Sequence, residues 1–465
     1  MYGNLSVQQN PAAEAHVQSD QRAKQARQLI VTGLYLGLVT LLVTLLLPQP
    51  IAAQNKIIGV YTFPATPLQT FQNVLFSESI ANDHKILLGA AGSDLWHGPN
   101  DAPGEFWMIT DRGPNGQIKV DGKNRRTFWV PEFNPVILRV KTEGNAIRIL
   151  EVIPIVGQSG KPVTGMPNIQ GYDETPYDYT GQKQLSFNAN GLDTEGLVRT
   201  LTGDFWVAEE YSPSILHLDR TGKVLKRYIP EGVKLSGTDY PVAAVLPVIY
   251  GKRKINRGFE GLALSGDQKT LYAVLQSPLW NPDKTVGDAS RNTRVIVFDI
   301  QSEKMTAEYV YRFEPAKEFE ANPKTSPDEM KLSGVAFLNP TTLLVLERTD
   351  LVARLYSVDL SKATDILNTK WDDAKITPGL EALEDPATAE VRVLPKSLVL
   401  DLKQFDEMPD KIEGVAVVDR NTVAVSNDND FDSEESQYDA EGNNLGKGKK
   451  TFILVISLGK PLPLP

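Results

Sequence analysis

Three glutamates in this 465-residue chain stand in the same local phrase: Thr194-Glu195-Gly-Leu-Val, Phe259-Glu260-Gly-Leu-Ala and Ile412-Glu413-Gly-Val-Ala. Two further copies, Gly92-Ser93-Asp-Leu and Leu332-Ser333-Gly-Val-Ala, carry serine at that place. Each phrase opens an apolar run that closes on a polar residue: Asp111, Glu209, Gln276, Glu347 or Asn427. The separation is 14 residues in three copies, 16 in the copy that starts at Glu260 and 18 in the copy that starts at Ser93. Carboxylates and amide oxygens brought to one point are hard ligands, and they suit calcium, which accepts about six to eight oxygens in flexible geometry. Zinc is disfavoured, because the chain has no cysteine and, beyond its first 53 residues, only His84, His97 and His217. Glu195, Glu260, Glu413, Asp111, Asn427 and Asp428 are therefore the expected metal ligands. The run Ser426-Asn-Asp-Asn-Asp-Phe-Asp432 is the densest oxygen cluster, although its glycine and glutamate spacing is not that of a helix-loop-helix calcium loop.

Two of the closing acids are followed at once by arginine, in Asp111-Arg112-Gly and Glu347-Arg348-Thr. A guanidinium fork fits the oxygens of a phosphate or carboxylate ligand, and it fits an acid on a neighbouring element equally well. The sequence leaves both roles open. A repeated Glu-Gly has the same ambiguity, since it can hold a cation or tie adjacent loops together.

The elements that must position these residues follow from the repeat itself, because fixed internal periods mark arrays and propellers. Behind Glu195 come Phe205-Trp-Val-Ala-Glu-Glu, Ser214-Ile-Leu-His-Leu-Asp and Val224-Leu-Lys-Arg-Tyr-Ile-Pro230, short β-branched and aromatic runs divided by Gly, Asp and Pro. With the phrase in front, that makes four antiparallel strands, one propeller blade. The same order recurs from Glu260 to Phe313, from Ser333 to about Leu402 and from about Leu87 to Pro154. The last copy supplies only three strands before the sequence reaches Pro465, and Ile57–Phe63 is the expected fourth, pairing with Phe452–Leu458 and removing two exposed edges. The expected fold is all-β, a single β-propeller of four-stranded antiparallel blades closed by an N-terminal strand. Five blades are counted, and stretches 155–190 and 231–256 are long enough to be a sixth blade or loops. The first strand of each blade is innermost, so the phrases and the closing polar residues should ring one mouth of the central channel.

A net charge of −10 argues against nucleic acid as a partner, and 41% hydrophobic residues suffice for a core shared among blades. Arg22, Lys24 and Arg27 precede a 19-residue uncharged run from Leu29 to Leu47, then Pro48, Pro50 and Ile51-Ala-Ala53. Residues 1–53 thus read as a signal peptide cut before Gln54, or as a membrane anchor, and either places the propeller of residues 54–465 outside the cytoplasm, periplasmic or extracellular.

No Gly-x-Ser-x-Gly elbow and no phosphate-binding Gly-Lys-Ser/Thr loop occurs, and His217 lies in mid-strand, so a serine esterase is not supported. In Ile109-Thr-Asp-Arg-Gly113, Asp193-Thr-Glu-Gly-Leu197, Phe205-Trp-Val-Ala-Glu-Glu-Tyr211, Gly258-Phe-Glu-Gly-Leu262 and Ser426-Asn-Asp-Asn429, the chain resembles the phytase-like propeller family known for "esterase-like activity of phytase". The likeness spans roughly residues 57–459, with Asp94 standing where the other copies have glycine. It implies hydrolysis of phosphate esters, although fold and family name do not by themselves establish a reaction. The expected reading is an exported, calcium-dependent phosphoric ester hydrolase acting on a small-molecule ester. Arg112 and Arg348 would hold oxyanions, and Glu209 or Glu195 would serve as general base. Alternatives are a calcium-dependent lactonase or other ester hydrolase, and a non-catalytic propeller that binds a glycan, peptide or envelope partner.

Overall fold

The strand Phe205–Glu209 is buried at every position because both of its faces meet other blades. Successive side chains point to opposite faces of a strand. Phe205 and Val207 therefore pack with Trp107, Ile109 and Ile137 of the preceding blade. Trp206 and Ala208 pack with Phe259, Leu262 and Ala273 of the following one. The same partition repeats around the ring, and the core lies in layers between blades rather than in one central mass.

A computed structural model describes Gly3, residues 20–34 and residues 54–465, apart from Pro323 and Glu407. The chain divides into two compact units, Met1–Ala53 and Gln54–Pro465. In the first, residues 20–34 are helical, and the rest of the expected apolar segment lies outside the described residues. No helix among the described residues is long and apolar enough to cross a membrane.

The second unit is a five-bladed propeller. Blade 1 consists of Asp94–Trp96, Glu105–Ile109, Val136–Glu143 and Ala146–Pro154. Blade 2 contains Thr194–Arg199, Phe205–Glu209, Ser214–Leu218 and Val224–Pro230, with Val242–Leu246 added in parallel as a fifth, outer strand. Blade 3 runs through Phe259–Leu264, Thr270–Leu275, Asn292–Asp299 and Lys304–Arg312, and blade 4 through Lys331–Asn339, Thr342–Arg348, Ala353–Asp359 and Lys396–Asp401. Blade 5 joins Ile412–Asp419, Thr422–Asn427 and Phe452–Ser457 to the N-terminal strand Lys56–Thr62. The stretches that left a sixth blade open are otherwise used. Pro176–Asp178 pairs with the hairpin Asn115–Val120 and Lys123–Phe128, and 231–256 holds the extra strand of blade 2 and a short 3-10 turn, Val248–Lys252.

The closing strand pairs as expected, antiparallel to the last one, with Ile57 opposite Ile456 and Tyr61 opposite Ile453. Deleting residues 54–64 should expose the free edge of Phe452–Ser457. The expected result is self-association and a lower melting temperature, read by sedimentation and calorimetry. A monomeric truncated protein with native melting would show that closure does not protect this edge.

The glycine of the repeated phrase is explained by how tightly the five inner strands converge. A Cβ on Gly261 would lie 2.0 Å from the carbonyl oxygen of Ser333 in the next blade, and one on Gly196 would lie 2.7 Å from that of Glu260. Gly334 and Gly414 face the phrases of blades 5 and 1 in the same way. Asp94 breaks this pattern with a buried carboxylate that accepts the Leu197 amide of blade 2 at 2.8 Å. Here a side-chain hydrogen bond to the backbone ties blade 1 to blade 2. Burial pushes the Asp94 carboxyl well above the usual carboxylate range.

Candidate functional site

The inner strands end at a cavity of about 530 Å³ over the channel, lined by residues of all five blades and by the small sheet of 115–128 and 176–178. Its size falls within the roughly 300–1,000 Å³ typical of small-molecule sites. Glu195, Glu260 and Glu413 converge there, with one carboxylate oxygen of each within 4.8 Å of the others. Asp111, Asp193 and Glu195 form a second such triad, and Asp111, Asp428 and Asp430 a third. Glu195 thus belongs to two triads, and Asp111 links the other two.

The ring of glutamates expected at the first position is therefore assembled, with Ser333 taking the place of glutamate in blade 4. The Ser333 hydroxyl donates to Glu260 at 3.1 Å and accepts from Arg348 Nε at 2.8 Å.

In blades 2, 4 and 5 the second ring sits one residue later than the sequence spacing suggests. Glu209 is fully buried away from the cavity, where it receives Arg227 Nη2 at 2.5 Å, Ser214 Oγ at 2.8 Å and the amides of Asp193 and Tyr211. Glu347 is held by Lys396 at 2.6 Å and by the amide of Glu314. The Asn427 side chain bonds the backbone of Lys450 and Phe452. The residues that line the cavity are Glu210, Arg348 and Asp428, together with Gln276 and Asp111. A step of one residue turns a strand side chain to the opposite face, and that is the whole difference.

Both arginines line the cavity and both are ion-paired. Arg112 donates to Asp193 at 3.0 Å, Glu174 at 3.3 Å and Asn115 at 3.0 Å. Arg348 pairs with Glu413 on the next blade and with Asp350 at 3.0 Å. The pairing with a neighbouring acid, one of the two roles left open by sequence, is what the geometry contains.

Among the cations of the cavity wall that were not singled out in the sequence are Arg257, Lys331 and Lys411. Lys331 and Lys411 stand two residues before Ser333 and Glu413, and Arg257 stands three before Glu260, so the repeat did carry their signal. Lys411 is paired with Asp430, and Glu434 is 3.5 Å from it on the cavity rim.

The carboxylates are crowded and dry. Burial, then Glu260 and Asp111, pushes Glu195 well above the usual carboxylate range, and burial, then Glu260, does the same to Glu210. Burial raises Glu413 although Arg348 opposes it, burial and Asp193 raise Asp111, and Asp193 is pushed up to about 7. Several of their oxygens have no hydrogen-bond partner among the described residues, including Glu260 Oε2, Asp193 Oδ1 and Glu210 Oε1. A buried carboxylate oxygen without a donor is costly, and a cation held by the Glu195–Glu260–Glu413 or the Asp111–Asp193–Glu195 triad would offset that cost at Glu260 or Asp193. The donor set, oxygen only and without cysteine or histidine, fits a hard ion such as calcium.

The raised values set a pH dependence. A carboxyl whose folded pKa exceeds its unfolded value of about 4 contributes stability that is full below that value and lost as pH rises through the folded one. Without metal, the melting temperature should therefore fall between about pH 4 and the value near 7 of Asp193. Added calcium should reverse the fall at the upper end, because binding displaces the retained protons. Asp350, held low by Lys331 and Arg348, acts in the opposite sense and only at far lower pH. Melting curves from pH 4 to 8 with chelator, then with calcium, check this, and a metal-free melting temperature that climbs across the range would contradict it.

A family model described as phytase-like, esterase-like activity of phytase, matches residues 91–431. A protein of Arthroderma benhamiae described as an uncharacterized secreted protein is 25% identical over 362 residues, 69% of each chain. Among solved structures, a luciferin-regenerating enzyme covers 81% of this chain and 96% of its own at 10% identity and a TM-score of 0.34. Regucalcin, a calcium-binding protein of Agrobacterium tumefaciens, covers 81% and 92% at 10% identity and a TM-score of 0.30.

Proposed function

The chain belongs to the phytase-like family, and on that premise we propose that it is an exported, metal-dependent hydrolase of phosphate esters. The observation that carries the reading is the set of buried carboxylate oxygens without partners, Glu260 Oε2, Asp193 Oδ1 and Glu210 Oε1, at a cavity whose wall is also cationic. Export is supported by the basic and apolar leader and by the secreted relative.

In this reading Glu195, Glu260 and Glu413 hold a divalent cation, calcium by donor chemistry, and Asp111, Asp193 and Asp428 extend the same ligand field. Bound there, the ion supplies the charge that polarises a phosphoryl oxygen and acidifies a water. Glu210 faces the cavity with its carboxyl pushed up by burial and by Glu260, a shift toward the protonated form that suits it to give a proton to a leaving-group oxygen. Arg112 and Arg348, fixed by Asp193 and Glu413, tie the acids in place and limit their repulsion. The interleaved cations offset the repulsion between an acidic mouth and a polyanionic substrate.

The test is turnover of phosphomonoesters, phytate and lactones by the purified exported protein, with calcium and with chelator. Calcium-dependent release of phosphate supports the proposal. Calcium-dependent lactone opening without phosphate release would make the protein a lactonase, and no turnover with unchanged calcium binding would make it a binding propeller.

A further inference from the structure

We propose that Arg257 and Lys331, from adjacent blades, form an oxyanion subsite of this cavity that takes the phosphoryl group of the substrate. The inference rests on the reading of the cavity as the working site and adds the residues that recognise its ligand.

The two arginines that sequence puts forward for this task are committed elsewhere. Arg348 spends Nε on Ser333, Nη1 on Asp350 and Nη2 on Glu413. Arg112 is likewise engaged by Asp193, Glu174 and Asn115. Arg257 differs. Among the described residues no carboxylate lies within salt-bridge distance of it, and its two hydrogen bonds, to Ser277 Oγ at 2.9 Å and the Asp328 carbonyl at 3.3 Å, both use Nη1. Its Nε and Nη2 donors are left for a ligand in the cavity that the side chain lines.

Lys331 lies on the same wall. Its acid partner, Asp350 at 2.6 Å, also serves Arg348 at 3.0 Å, so one carboxylate answers two cations. Burial, then the charges of Arg348 and Arg257, pulls the lysine down to about 8. Burial and Arg348 likewise lower Arg257, although Glu210 and Glu260 pull the other way. Cations crowded in this way gain most from an anion placed between them. Arg257 also feels Glu210 and Glu260, so a group bound to it lies beside the carboxylate ring. A phosphoryl group has three terminal oxygens, enough to face the guanidinium, the ammonium and a cation on that ring at once. A carboxylate has two. The planar fork of arginine and the point charge of lysine are both established phosphate donors.

Calorimetric titration of the full exported chain with inorganic phosphate, first in chelator and then in calcium, tests the subsite. Arg257→Gln and Lys331→Gln should each weaken phosphate binding at least about tenfold, the usual worth of one charge-assisted hydrogen bond. Lys362→Gln, an exposed lysine on a loop of blade 4, should leave it unchanged. Lys331→Arg should retain most of the affinity, which a merely structural lysine would not predict. Phosphate binding unaltered in both glutamine variants overturns the proposal, and so does acetate competing as well as phosphate. If Arg257→Gln does not fold, Lys331→Gln and Lys331→Arg decide alone. Calcium-dependent hydrolysis that survives both glutamine variants intact would keep the metal reading and sink the subsite. Phosphate binding lost in the variants, with hydrolysis indifferent to chelator, would do the reverse.

Discussion

Replacing Glu195 by glutamine should raise the melting temperature of the metal-free protein while removing most of its response to calcium. The two halves have one cause. Glu195 is shared by two of the three carboxylate triads, and its nearest neighbours in charge are Glu260, Asp111, Glu210 and Asp193. Without a cation this charge is repelled from several sides in a dry site, so a neutral side chain of the same shape relieves the fold. With a cation it is a ligand common to two of the triads. If native protein is held at calcium about 100-fold above its dissociation constant, linkage supplies about 2.7 kcal/mol. Even outer-shell changes at metal sites cost about 10–100-fold in affinity. A loss of about 100-fold would leave about 0.4 kcal/mol at the same calcium concentration.

Calorimetry in chelator and in calcium reads both halves. A control belongs far from the cavity, and Glu143→Gln, exposed and paired with Arg148 at the end of a blade 1 strand, serves. Glu434 does not, because it borders the cavity. If chelator leaves native melting unchanged, or if Glu195→Gln lowers metal-free melting while calcium still stabilises it fully, the acids form a proton-sharing structural ring instead.

What the sequence made legible follows from how each feature is encoded. The glutamate ring could be read because its glycine is imposed by backbone contact between neighbouring phrases, and that contact recurs blade after blade. The closing strand could be read because a blade with three strands leaves hydrogen-bonding groups without partners. The second ring was displaced by one residue in blades 2, 4 and 5, since both Glu209 and Glu210 are polar and spacing alone does not say which face each takes. Irregular pairing where the phrases of blades 2 and 5 start, between Val207 and Glu209 on the strand opposite and between Ile412 and Gly414, adds to the displacement. The hairpin of residues 115–128 was hidden because Lys123-Asn-Arg-Arg-Thr-Phe lacks an apolar alternation, as expected of a ribbon beside a polar cavity. Lys331 and Lys411 share a place in the repeat with Asp193, and Arg257 stands one residue earlier in its own copy; a position that accepts both signs of charge shows no motif until the ring is closed.

The largest loss of stability should come from a residue that the spacing marks as a catalytic base. Glu209 and Arg227 are both fully buried, 2.5 Å apart, with Ser214 Oγ shared between them and Asn168 on the far side of the guanidinium. Removing one partner of such a pair leaves a charge in the interior without compensation, at about 3–5 kcal/mol. Glu209→Ala should therefore unfold the protein at far milder denaturant than native, while Glu209→Gln, which keeps an acceptor for the amides of Asp193 and Tyr211, should lose less. A general base would behave in the opposite way, with native stability and abolished turnover in the glutamine variant. The contrast with Glu210→Gln separates the two cases. That residue faces the cavity one position later, and its change should reduce turnover with stability preserved or increased, since burial and Glu260 push its carboxyl toward the protonated form that glutamine mimics. Denaturant midpoints and turnover per folded molecule, measured on both glutamine variants, would exchange places if Glu209 were the residue that meets substrate.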